Sequence, residues 1–236
     1  MKKLLVVFLL IMAAGFSAAA QTIVTSDQSI EVNVPNWRIA FQGGVGYRLA
    51  KVADTGSADL NDYLKKLKLG YTYGGDITYF FSETLGAGIK FNDMHSSQKA
   101  DVMVTYDDGS KHVGRLSDAI DIMFVGPVLS FRSFNLPNRN AFYMNYAFGY
   151  VSYLDDAELM KKYSISGGTL GYMAEFGYDM AVSENLSFGL GASLFGGVLT
   201  SYTRTEAGKK ENVKLDKESY EGLGYVSLSL GLRYNF

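Results

Sequence analysis

From Trp37 to Leu49 the chain alternates. Trp37, Ile39, Phe41, Val45, Tyr47 and Leu49 are large and apolar, while Arg38, Ala40, Gln42, Gly44, Gly46 and Arg48 are small or polar. Successive side chains of a strand point to opposite faces, so the stretch predicts a β-strand with one apolar face. The pattern returns along the chain. Leu67, Leu69, Tyr71, Tyr73, Ile77 and Tyr79 oppose Lys68, Gly70, Thr72, Gly74, Asp76 and Thr78. Leu85, Ala87, Ile89 and Phe91 oppose Gly86, Gly88, Lys90 and Asn92. Phe142 to Tyr150, Leu170 to Met180, Leu186 to Leu194 and Val226 to Phe236 alternate in the same way. Between Ile120 and Arg132 both phases carry apolar residues, so the facing of this strand stays open. A bulge near Gly126-Pro127 is one way to switch its phase, because Pro cannot donate to the ladder.

Eight strands result, and their joints alternate in length. Polar segments 50–66, 93–119, 154–166 and 201–219 follow strands one, three, five and seven, whereas short turns follow strands two, four and six. Short turns on one rim and long loops on the other are the plan of a transmembrane barrel. The expected fold is all-β, an eight-stranded antiparallel up-and-down transmembrane β-barrel over 37–236. Within the second long segment, Ala100–Tyr106 alternates again before Asp107-Asp108-Gly109 and a return through Ser110–Leu116. Asp-Gly between such runs predicts a hairpin that prolongs strands three and four beyond the lipid.

A ligand-binding barrel with an apolar inside would alternate too. The polar face here is mostly Gly, Ala, Ser and Thr with isolated charges, which suits a narrow interior better than a solvated exterior. Aromatic residues gather at both ends of the strands: Trp37, Tyr79, Phe142, Phe188 and Tyr234 at the short-turn rim, Tyr47, Tyr71, Phe91, Tyr150 and Tyr202 at the other. Such rings prefer the lipid–water boundary. The apolar face is therefore expected to point outward.

Both ends of the sequence support this. Lys2-Lys3, an apolar run from Leu4 to Phe16 and Ala18-Ala19-Ala20 read as a signal peptide over 1–20, leaving a short periplasmic leader over 21–36. At the other end, Ser229, Gly231, Tyr234 and Phe236 in SLGLRYNF resemble the barrel-assembly signal of bacterial outer-membrane proteins. The whole pattern resembles the small outer-membrane barrels of the porin-family, OmpA/OmpX-like type. The resemblance implies a monomer in the outer membrane of a Gram-negative bacterium, in contact with its lipid and read by the barrel-assembly machinery. It also implies four loops outside, available to a host or surface protein.

Composition narrows the chemistry. With no cysteine and two histidines, disulfides and thiolate metal sites are excluded and imidazole sites are scarce. The formal charge is −2, and loss of Lys2 and Lys3 takes it to −4, so a nucleic-acid partner is not expected. No cofactor is expected. Arg38, Lys68, Asp76, Lys90, Glu175, Asp179 and Arg233 fall on the inward phase. Charges of both signs in a narrow barrel are expected to pair, with Gln42 and Asn145 beside them, and to plug it. The expected role is structural or adhesive, through the loops. A passive small-solute pore is the first alternative. A lipid-modifying enzyme is the second, with His95 beside Ser96 and Ser97 as its only candidate group. GGVGYR and GGTLGY look like phosphate loops, but no helix follows either of them.

Overall fold

The computed structural model describes residues 35–50, 57–105, 111–135, 139–159 and 161–236, with side chains for all of these except 102–105, 111–113 and 159. The expected signal peptide, residues 21–34 of the expected leader and the Asp107-Asp108-Gly109 turn lie outside the described residues.

The elements run in order β1 (Trp37–Arg48), α1 (Ala58–Lys66), β2 (Leu69–Phe80), β3 (Leu85–Thr105), β4 (Lys111–Asn135), β5 (Asn140–Leu159), β6 (Lys161–Ala181), β7 (Leu186–Leu199), β8 (Ser201–Glu206), β9 (Lys209–Lys214), β10 (Glu221–Gly222) and β11 (Tyr225–Asn235). Strands β1 to β7 pair antiparallel in sequence order, and β11 fits between β7 and β1. This closes a ring of eight strands. At the seam, Trp37 N donates to Phe236 O at 3.0 Å and Phe236 N to Trp37 O at 2.9 Å. Closure leaves the ring of eight strands without a free edge at the level of the belt, as a structure in hydrocarbon requires.

The apolar phase points outward, with Phe41 69%, Ile89 65% and Phe142 66% exposed. In water such a surface would aggregate. In a bilayer it needs no partner. The belt on β5 runs from Phe142 to Tyr150, and the next outward positions are Ser152, Leu154 and Asp156. On β4 it runs from Phe131 to Met123, followed by Asp121.

The open strand now has a facing. Met123, Val125, Pro127 and Leu129 point outward, while Ile120, Ile122, Phe124, Val128 and Ser130 are buried inside. There is no bulge. Val125 pairs Tyr150 and Val128 pairs Ala147, so the register passes Gly126-Pro127 unshifted, with only those two residues dropping out of the ladder. The missing proline N–H costs a local pairing and does not flip the strand.

Three of the four expected loops are largely strand. Roughly 9–11 residues cross a membrane, yet β3 has 21 and β4 has 25. Pairing continues to Thr105↔Lys111 between β3 and β4 and to Leu159↔Lys161 between β5 and β6. Beyond β7 the sheet is carried on by β8, which pairs β6 from Tyr163 to Ser166, and by β9. A six-stranded sheet, β3-β4-β5-β6-β8-β9, therefore stands above the belt on one side of the barrel. The first loop holds α1. Ser57 caps it by accepting from Leu60 N, Asp59 and Lys65-Lys66 match the helix dipole, and Lys66 pairs Asp62 at 2.8 Å one turn back.

Candidate functional site: the barrel lumen

The inside has layers. At the short-turn end, the Arg132 guanidinium lies over the Phe80 ring, 3.6 Å from its centroid. It donates to Pro35 O at 2.6 Å and to Glu83 O at 2.9 Å, fixing the rim. Above it sits a polar network. Arg38 donates to Asp76 at 2.8 Å and to Ser130 at 3.0 Å. Lys90 Nζ is 2.8 Å from Glu175 and 3.7 Å from Asp76. Gln42 donates to Glu175 at 2.7 Å, and Asn145 reaches its other oxygen at 3.1 Å. Arg233 Nε is 3.2 Å from Asp179, and its Nη2 donates to the Tyr143 hydroxyl at 2.5 Å. Arg38, Lys90 and Arg233 balance Asp76, Glu175 and Asp179, all six buried.

The glycines on the wall make room for this. A side chain at Gly189 would meet the Arg233 guanidinium and the Asp179 carboxylate, and one at Gly191 would meet the Tyr143 hydroxyl. These residues therefore belong to the packing of the lumen.

Six of the seven expected lumen charges come together. Lys68 does not. It sits in the turn between α1 and β2, half-buried, with its ammonium 5.7 Å from the Tyr47 ring. Strand β2 starts one residue later, so the inward phase did not extend to it. Arg132 and Tyr143 also belong to the plug. Arg132 was hidden in the strand whose facing was open, and Tyr143 on the inward phase of β5 was the available signal.

Above the ions the lumen turns apolar. Met94, Ile122, Phe124, Val151, Met173, Phe195 and Tyr225 form one buried cluster that continues to Leu199 and Leu223. Phe195 stacks on Tyr225 at 4.7 Å, and the Tyr225 hydroxyl accepts from Asn92 at 2.8 Å. This second layer was not expected: Ile122 and Phe124 lie in the strand whose facing was open, and Met94, Val151, Phe195 and Tyr225 lie just beyond the alternating runs.

His95 faces outward at the upper edge of the belt. Its Nδ1 lies 2.6 Å from Asp121 Oδ1, and its ring packs 5.0 Å from Tyr71. Ser96 points the other way, buried in the barrel, so His95 and Ser96 are on opposite faces of β3. Ser97 shares the His95 face and is exposed. The carboxylate that orients the imidazole comes from β4, which sequence order did not reveal. At the seam, Ser229 and Gly231 face inward and Tyr234 stacks on Phe236 at 5.8 Å.

No family model and no curated protein matches the chain. Among solved structures, a major outer membrane protein from Thermus thermophilus superposes with a TM-score of 0.52 at 13% identity, over 85% of this chain and 99% of that one. The fold is that of the small outer-membrane β-barrels. OprG from Pseudomonas aeruginosa aligns at TM-score 0.47 and 12% identity, covering 86% of this chain and 98% of its own. The attachment invasion locus protein Ail of Yersinia pestis aligns at 0.44 and 15%, covering 84% and 99%. At such identities the likeness shows the frame alone.

Proposed function

We propose that this protein resides in the outer membrane as a plugged barrel and acts outside it, as a surface-interaction protein that docks a partner on the raised sheet. One observation carries the reading. Strand β2 pairs β3 only up to His95, while β3 runs on to Thr105. Among the described residues, no strand covers that edge of β3 from Ser96 upward. Helix α1 packs against part of it, and its Tyr63 hydroxyl donates to Gln98 O at 3.1 Å. An edge of unpaired backbone groups is a template for an added strand. The opposite edge, β9, reads KKENVK and is blunted by its lysines. The β3 edge is therefore the docking side, and an extended segment of a host or surface protein is the partner.

The test replaces Ala100–Leu116 by a short Gly-Ser turn. The barrel below should still fold and shift on heating in gel electrophoresis, while adhesion of cells bearing it to immobilised host matrix proteins drops to background. Equal adhesion by the truncated barrel sinks the proposal.

A further inference from the structure

Above the apolar layer the lumen opens into a vestibule of about 430 Å³. Its floor and wall are Ile120, Ile165 and Leu199, and its charged groups are Arg48, Lys68, Asp118, Asp155 and Glu221, three carboxylates against two cations. The charges are not balanced as they are in the plug. Arg48 is committed to Glu221, at 3.2 Å. The Tyr63 hydroxyl donates to Asp118 Oδ2 at 2.5 Å, so Asp118 has a neutral partner. Asp155 is left over. It is 8% exposed, and Oδ2 receives only a long bond from the Tyr153 hydroxyl, at 3.4 Å. Oδ1 has no hydrogen-bond partner, and no cation lies within 4.0 Å of the carboxylate among the described residues.

Burying a carboxylate without a partner is costly, and buried charges are found paired or bound. The cavity beside it lies at the small end of the range for small-molecule sites, which are apolar with a few placed polar groups. We infer that the vestibule is a binding site for a small organic ammonium, whose charged head pairs with Asp155 and whose apolar body lies against Ile120, Ile165 and Leu199. An anion of the same shape would meet Asp118, Asp155 and Glu221, against Arg48, already engaged by Glu221, and Lys68, whose ammonium lies by the Tyr47 ring. A neutral analogue would fill the apolar part and leave Asp155 as it is. This site is independent of the β3 edge.

The probe is 3-phenylpropylamine, with 3-phenylpropanol and 3-phenylpropanoate as the neutral and anionic analogues. Binding is measured by ligand-observed NMR at pH 8 with the full protein in nanodiscs, against empty nanodiscs to subtract lipid partitioning. The expected result is saturable one-site binding of the amine. The alcohol should bind at least about tenfold more weakly, since a charge-assisted hydrogen bond contributes roughly 1.5–3 kcal/mol, and the carboxylate should not bind. Asp155→Asn should weaken the amine to the level of the alcohol without affecting the alcohol itself. Ile165→Trp, which fills the cavity and leaves every charge in place, should abolish both. Heat-shifted migration of each variant establishes that it is folded. Absence of saturable amine binding to the native protein, equal affinity for amine and alcohol, or an unchanged amine affinity in Asp155→Asn each overturns the assignment.

Discussion

Lys90 shows how closely the plug is balanced. Its ammonium sits between Glu175 and Asp76 with no exposed side-chain surface. Removing it leaves two buried carboxylates with one cation fewer. Breaking such a pair destabilises by about 3–5 kcal/mol, because the partner charge stays buried. Lys90→Met is expected to lose about that much in urea unfolding of the lipid-embedded barrel. Adding Glu175→Gln should restore part of it, and a double variant no more stable than the single would contradict the pairing. Asp155 makes the opposite case. Burial raises its carboxyl from 3.8 to about 7, with Asp118 and Asp156 adding to the rise and Arg48 and Tyr153 opposing it, beyond the apolar belt. Between those values the folded form holds a proton that the unfolded form releases. This residue's contribution to stability is therefore full below about pH 4 and is lost as pH rises through 7. The pH dependence of unfolding should be flatter over that window in Asp155→Asn; identical profiles would remove Asp155 as its cause.

At the scale of the element, strict alternation was legible wherever one face met lipid and the other met small or polar residues. It failed on Ile120–Arg132 for a physical reason. The upper lumen is itself apolar, so Ile122 and Phe124 inside look no different from Met123 and Val125 outside. The extent of the strands was under-read for a related reason. Above the belt the outer face meets water and the inner one carries polar groups such as Asp155, so Leu154–Ser166 has no continuous apolar face and passes for a loop although its described residues are paired. Helix α1 was legible and was overlooked: Leu60, Tyr63, Leu64 and Leu67 follow the spacing of a helix and pack into the core at the mouth. The closing strand carries a prediction of its own. Phe236 is bonded through both backbone groups to Trp37, and Tyr234 and Phe236 complete the aromatic rim. Phe236→Ala should lower the amount of membrane-inserted, heat-shifted barrel several-fold while export across the inner membrane continues. Normal insertion would show that the terminal aromatic is dispensable for assembly.

At the scale of the whole molecule, two different fillings lie one above the other inside a ring of eight strands. Eight strands leave an interior that side chains fill, and here the filling is an ionic layer below and an aromatic-aliphatic layer above. Either alone would resist ions: the lower because its charges are paired with one another, the upper because Phe124 and Phe195 offer no water-like ligand and the Tyr225 hydroxyl is taken by Asn92. A passive pore would need a continuous polar path through both. Planar-bilayer recordings are therefore expected to show no stable conductance. The more searching comparison is with a variant that loosens only the upper layer. Phe195→Ala removes a ring that packs against both Phe124, at 5.8 Å, and Tyr225, at 4.7 Å, and should still be silent, because Arg38, Lys90 and Arg233 remain locked to their carboxylates below. Combining it with Glu175→Gln leaves Lys90 with only the longer contact to Asp76, at 3.7 Å, and only this double variant is expected to flicker open, with anions favoured by the loosened lysine. A steady channel in the native protein, with selectivity altered by Glu175→Gln alone, would turn the plug into a selectivity ring and the protein into a pore.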